Sequence, residues 1–474
     1  KKLIVNSFKF KNKFRLKMKK QFLLSSLLIG SLNVFGQLNP AISSWLQNTT
    51  LMGRHYVNGN STPIQDNVLA NVQSVKYSAT SVYITTNGIP AYPTGPFLDG
   101  NPSLATSQNA IFKFPLTPVQ NTGTATPTSG GNIGVFINGV ALFDYRDGVA
   151  WNSTSNALCG GPGNPPCPGG PNANLPWNRD AILAERSGFD CSKGHPAMGN
   201  YHHHQNPSAF NLDLNVVSSI CNLYAADGLY TIDSTQHSPL IGYTYDGFPI
   251  YGAYGYKNLD GTGGIVRIKS SYSLRNITTR TTSPTGATVA AGPAVSATYP
   301  LGYFREDYQY TPTTAQTPDF LDQHNGRFCV TPEYPNGIYC YFATVDSKWN
   351  SAYPYVVGPT FYGVKSGVKV TSITEPVTTY VPTTAINSSE KSDFHVLIFP
   401  NPSSDLVAIQ VSGLIRKDVD LELLDVMGRL VSKTTIPPGG TIGYFETSTL
   451  YKGQYLVRIT DGSQVITKKI QITE

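Results

Sequence analysis

The chain has 474 residues, enough for two or three domains, and a formal charge of +6 that is local in origin. Nine Lys and Arg and no acid lie within residues 1–36, and the remainder balances 26 basic against 29 acidic groups, a net −3. No clustered basic face is left to suit nucleic acid, which excludes that class of partner.

The N-terminal segment reads as an export signal. Met18-Lys19-Lys20 supplies a short positive region, Phe22 to Ile29 an apolar run, and Val34-Phe35-Gly36 a small-residue cleavage site before Gln37. The run is too short to span a bilayer, so residues 18–36 are expected to be a signal peptide, leaving no membrane span after its removal. Residues 1–17 lie upstream of that complete signal and are expected to be an extension outside the true start. The mature body, 37–370, is rich in Gly, Pro and Tyr. Alternating runs such as Ser81 to Thr85 and Ile133 to Ile137 sit between Asn87-Gly88 and Asn138-Gly139 turns, a pattern of short strands. Helical periodicity is scarce; Asp180 to Arg186 is the clearest short helix. The fold class expected is mainly β: a large β-rich domain followed by a small C-terminal β-sandwich.

Six cysteines fall between Cys159 and Cys340. In an exported chain with no CxxC or CxH spacing they read as a disulfide framework. Neighbour spacing suggests Cys159 with Cys167, Cys329 with Cys340 across a hairpin, and Cys191 with Cys221 around the densest histidine cluster. That cluster, DCSKGHPAMGNYHHHQNP (190–207), holds four of the eight histidines. If Tyr201 to His204 form a strand, His202 and His204 share one face while Tyr201 and His203 share the other. The turn-rich His195 to Asn200 segment could bring His195 back as a third nitrogen. Three neutral imidazoles would resemble an open zinc or copper site, with Asp190 or Asp246 as an outer partner. A hydrogen-bonded cluster with no ion is the competing reading.

Further along, Tyr243 to Gly252 surrounds Asp246 with aromatic residues. Asp246 is read either as a turn residue or as the floor of a pocket walled by Tyr243, Tyr245, Tyr251 and Tyr254. The segment Gly337-Ile338-Tyr339-Cys340-Tyr341-Phe342 echoes Gly199 to His204, which suggests an internal duplication whose second copy has Cys340 and Phe342 in place of His202 and His204. His324, just before it, is either another ligand or a solvated turn residue. No Gly-x-Ser-x-Gly elbow and no phosphate-binding loop occurs, so no catalytic residue is assigned. Residues 371–392 are rich in Thr, Pro and Ser and read as a linker, and 393–474 return to short alternating strands.

Two resemblances follow. FPNPSSD (399–405), LLDVMGRLV (423–431), LYKGQYLVRIT (450–460) and VITKKIQI (465–472) are similar to the C-terminal sorting domain of the type IX secretion system of Bacteroidetes. This implies passage through that machinery, across the periplasm and outer membrane, to the cell surface or medium. INGVALFDYRDGVAWN (137–152), the 189–207 block, HSPLIGYTYDGFPIYGAYGY (237–256) and LDQHNGRFCVTPEYPNGIYCYFATVD (321–346) resemble the YHYH domain family, over a core of 130–363. Its namesake motif falls on Tyr201-His202-His203-His204, with His203 where the family has Tyr. The replaced position lies off the ligand face. The expectation is an exported protein that binds Zn or Cu through His195, His202 and His204; the alternative is a noncatalytic module for an unknown extracellular ligand, glycan or matrix, with structural histidines.

Overall fold

Alternation and turn chemistry dictate the architecture. In Ala110–Pro115 every second side chain is buried, as a strand with one face on a core requires. This strand belongs to a five-stranded sheet ordered Val368–Val370, Ala110–Pro115, Ser81–Thr86, Val72–Tyr77, Thr378–Thr379. The computed structural model describes residues 38–98, 104–170, 173–209, 221, 223–224, 228–312, 317–381, 395–412, 418–438, 440–461 and 465–473. The expected signal peptide and the extension before it lie outside those residues. So do 382–392 of the expected linker, whereas Thr378–Thr379 add an edge strand beside Val72–Tyr77.

A central sheet of eight strands carries the histidines. In chain order its strands are β1 (Asn132–Phe136), β2 (Ala141–Phe143), β3 (His195–Ala197), β4 (Asn200–His203), β5 (Leu240–Thr244), β6 (Pro249–Tyr251), β7 (Gly326–Cys329) and β8 (Ile338–Phe342). Their spatial order is β3-β4-β2-β1-β5-β6-β8-β7, which reads the same from either end once each strand is exchanged for its counterpart. The middle pair, β1 and β5, run antiparallel and approach closely. A Cβ on Gly134 would stand 2.7 Å from the Tyr243 carbonyl, and one on Gly242 2.7 Å from that of Val135. Trp45 ties the two sheets together, its ring 5.7 Å from Phe114 and 5.4 Å from Tyr243. Burying such aromatic pairs dominates the energetics of a core.

Residues 395–473 build a three-stranded and a four-stranded antiparallel sheet around their own core of Val407, Ile409, Leu421, Leu423, Val457 and Ile459. The protein is mainly β, with a small sandwich at its C-terminal end. Among the described residues no helix is long and apolar enough to cross a membrane.

Two of the three expected disulfides are formed, Cys159 to Cys167 and Cys191 to Cys221. The third is not: Cys329 and Cys340 are buried free thiols. The hairpin expectation was one of proximity, and register corrects it. Cys329 stands opposite Ile338 and Cys340 opposite Arg327, so the two cysteines are diagonal neighbours. The two thiols interact across the strands but carry no bond between them.

A three-histidine site at the mouth of a cleft

The loop before β3 is shaped by one carboxylate. Asp190 Oδ1 accepts the N–H of Ser192 at 2.9 Å and of Gly194 at 3.0 Å, and the Tyr201 hydroxyl at 3.1 Å; Oδ2 accepts the N–H of Gly95 at 2.9 Å. Gly194 must lack a side chain, because a Cβ there would lie 2.4 Å from the Tyr201 oxygen. The chain then turns at Met198 and Gly199, both with positive φ (48° and 81°), the two-residue hairpin geometry that matches strand twist. The hairpin sets His195 directly opposite His202.

His202 and His204 face the same side, as alternation requires. Their Nε2 atoms are 3.1 Å apart, and that of His195 is 3.5 Å from that of His204. The opposite nitrogens fix the tautomers. His202 Nδ1 lies 2.8 Å from the Asn200 carbonyl and His204 Nδ1 2.6 Å from the Asp144 carbonyl. A carbonyl only accepts, so each Nδ1 carries a proton, and the Nε2 atoms are the ones turned toward one another. Phe143 stacks on His202 at 3.8 Å, and Phe189 meets the His195 ring edge-on at 5.0 Å, so the rings are held before anything binds.

A fourth donor joins them. Glu185, at the end of the short helix Ala181–Glu185, places Oε2 3.2 Å from the Nε2 of both His195 and His204. That oxygen is buried, with these two ring nitrogens as its ion-pair partners. The helix is aimed by its cap: Asp180 accepts the N–H of Ile182 at 2.8 Å and of Leu183 at 3.3 Å, and the Tyr355 hydroxyl at 2.9 Å. Burial opposes ionisation of Glu185, yet the neighbouring His195 and His204 outweigh it and hold its carboxyl well below the usual range. Burial, reinforced by His195 and His204, drives His202 well below an ordinary histidine and keeps it neutral. The cluster forms one wall of an open cavity of about 800 Å³, whose lining also includes Phe143, Arg146, Asp147 and Asn178.

The remaining predicted residues lie elsewhere. His203 points to the opposite side, with Nε2 2.8 Å from the Tyr92 hydroxyl and Nδ1 3.0 Å from the Lys193 carbonyl; burial lowers it to about 3. Tyr201 and Asp190 serve the loop just described. The carbonyls of Asn200 and Asp144 occupy the orienting role considered for Asp190 or Asp246. Asp246 is buried in the β5–β6 turn, held by the Tyr341 hydroxyl at 2.6 Å and the Gly363 N–H at 2.8 Å. Tyr245 packs on Phe112 and Phe114, and Tyr251 bonds Glu333 at 2.7 Å and Thr331 at 2.8 Å. His324 is bonded to Thr360 Oγ1 at 2.8 Å. Sequence reasoning missed Glu185. Its one signal is its place at the end of the predicted helix that leads into the histidine block.

Fold and site together define a β-rich protein with a buried histidine cluster in the wall of a cleft. The family model described as YHYH protein matches residues 111–354, more than half of the chain, and the chain belongs to that family. A second model, the secretion system C-terminal sorting domain, matches residues 397–473. That tail directs type IX export to the cell surface or the medium and implies contact with the secretion machinery. No curated protein matches the chain. Among solved structures, the crystal structure of dimeric latent PorU from Porphyromonas gingivalis is 15% identical, with 23% of this chain and 11% of that chain covered and a TM-score of 0.15. A likeness that slight carries no argument about fold or function.

Proposed function

We propose that the chain is an exported metal-binding protein in which His195, His202 and His204, with Glu185, hold one divalent ion, zinc or copper. One observation carries the reading. The buried Nε2 atoms of His202 and His204 face each other at 3.1 Å, with the Glu185 oxygen 3.2 Å from the Nε2 of both His195 and His204. Three ring nitrogens and a carboxylate oxygen converging in a buried wall form a donor set that one cation would hold together. Three imidazoles and a carboxylate suit zinc, and imidazole also suits copper. The carbonyls on His202 and His204 are the second layer that orients metal-bound histidines. A bound ion there would supply Lewis acidity at the wall of the cleft. Phe143 and Phe189 fix the rings, and the cleft leaves room for a ligand beside them.

The test is metal content and affinity of the full chain beside His202→Ala, His204→Ala and Glu185→Gln. One ion per chain is expected in the parent. The alanine variants should lose it, and Glu185→Gln, which removes a charged donor, should weaken it measurably. Near-zero metal in all four proteins after loading with zinc and with copper would sink the reading.

A further inference from the structure

The central sheet repeats itself about its middle. Val135 of β1 stands opposite Tyr243 of β5, and on either side Gly134 faces Thr244 while Gly242 faces Phe136. Moving outward, β4 pairs parallel with β2, placing His203 beside Leu142; β8 pairs parallel with β6, placing Tyr341 beside Ile250. At the edges, His195 faces His202 and Pro196 faces Tyr201, as Arg327 faces Cys340 and Phe328 faces Tyr339.

The residues that shape the backbone agree between the halves. Asp322, like Asp190, accepts the N–H groups two and four residues on, from His324 at 2.9 Å and Gly326 at 3.2 Å, together with the Tyr339 hydroxyl at 2.9 Å. Lys193 and Asn325, each just before the glycine, have φ of 63° and 65°. A Cβ on Gly326 would lie 2.3 Å from the Tyr339 oxygen, against 2.4 Å for Gly194 and Tyr201. The hairpin glycines Gly199 and Gly337 have φ of 81° and 80°.

Side chains diverge at the histidine cluster. His195, His202 and His204 are answered by Arg327, Cys340 and Phe342. The Arg327 guanidinium carbon lies 5.4 Å from the Phe342 ring centre, much as the His195 ring lies 5.6 Å from that of His204. Tyr251 is 6.0 Å from Phe342, as its counterpart Phe143 is 6.0 Å from His204. Arg327 is buried and enclosed by carbonyl oxygens: its Nη1 donates to Lys257 at 3.1 Å and Pro318 at 2.5 Å, and its Nη2 to Tyr256. Where the first cluster opens onto the cavity, the second is closed around a fixed positive charge.

We propose that the sheet is an internal duplication in which the two clusters are copies of one cation-holding position. The first takes a metal ion; in the second the guanidinium of Arg327 is the resident cation. The proposal rests on the metal-binding reading of the first cluster. The scaffold does not need histidines at these positions, since the second half builds the same cross-strand pairing and aspartate anchor without them.

The test converts each copy into the other in the full chain. Arg327→His/Cys340→His/Phe342→His should raise the binding of Co²⁺ from one ion to two per chain. The reciprocal His195→Arg/His202→Cys/His204→Phe should bind none, and with excess chelator should melt above the chelated parent. If the first variant does not fold, the reciprocal one decides, and melting below the chelated parent overturns the proposal. A folded first variant that still binds one ion also overturns it. A parent that binds no ion instead overturns the metal-binding reading, and with it the role assigned to the first copy.

Discussion

His237 shows how burial sets the chemistry of single side chains. Its Nδ1 lies 2.7 Å from the Ser238 carbonyl, its Nε2 is buried without a hydrogen-bond partner, and the rings of Tyr251 and Tyr256 pack 5.1 and 4.9 Å away. Burial lowers it to about 4. The unfolded chain therefore takes up this proton near pH 6.5 while the fold resists it down to about 4. Stability from this group is complete above pH 6.5 and falls between those values by up to about 1.4 kcal/mol per pH unit. His237→Asn should flatten that part of the profile, read as urea midpoints from pH 7 to pH 4; an unchanged slope would contradict the assignment. At the same scale, His202 and His204 were legible because strand alternation is rigid. Glu185 was not, because its helix reaches the site through folding, and the carbonyls of Asn200 and Asp144 leave no mark in side-chain identity.

Elements place these groups, and the β3–β4 hairpin is the most constrained of them. Gly194→Ala would drive a methyl group into the Tyr201 hydroxyl and displace both His195 and the Asp190 anchor. Crowding of this kind costs about 1–3 kcal/mol, so a lower melting temperature together with weaker metal binding is expected. Loss of neither would show that the loop relaxes freely. The sequence made this hairpin visible through its Pro, Gly and alternating histidines. It did not reveal the register of β7 against β8, which depends on how an eight-residue connection between Cys329 and Ile338 closes. Proximity brought the two cysteines onto one face and into contact, yet both stay free thiols, so nearness in sequence alone did not predict the bond.

For the whole molecule, the C-terminal sandwich was legible from its four ordered motifs, but its attachment was not. Arg54 and Asp405 form a buried pair at 2.5 Å, while Phe399 and Ile442 pack against the core of the larger body. Asn401 donates its N–H to Thr231 Oγ1 at 2.9 Å. These contacts join residues far apart in sequence, with no local pattern to announce them. Arg54→Ala leaves a buried carboxylate unpaired and should destabilise the chain by about 3 kcal/mol or more. The charge-exchanged Arg54→Asp/Asp405→Arg should recover part of that loss in denaturant unfolding. No recovery would mean that the pair adds nothing beyond its packing.

The central claim is that a divalent ion sits among His195, His202, His204 and Glu185. Anomalous diffraction from crystals of the full chain, collected at the absorption edges of zinc and copper after loading, tests it most directly. The account predicts one strong peak per chain, about 2.0–2.1 Å from the Nε2 atoms of the three histidines. A loaded crystal with no peak at that position, or with its main peak elsewhere, would contradict it.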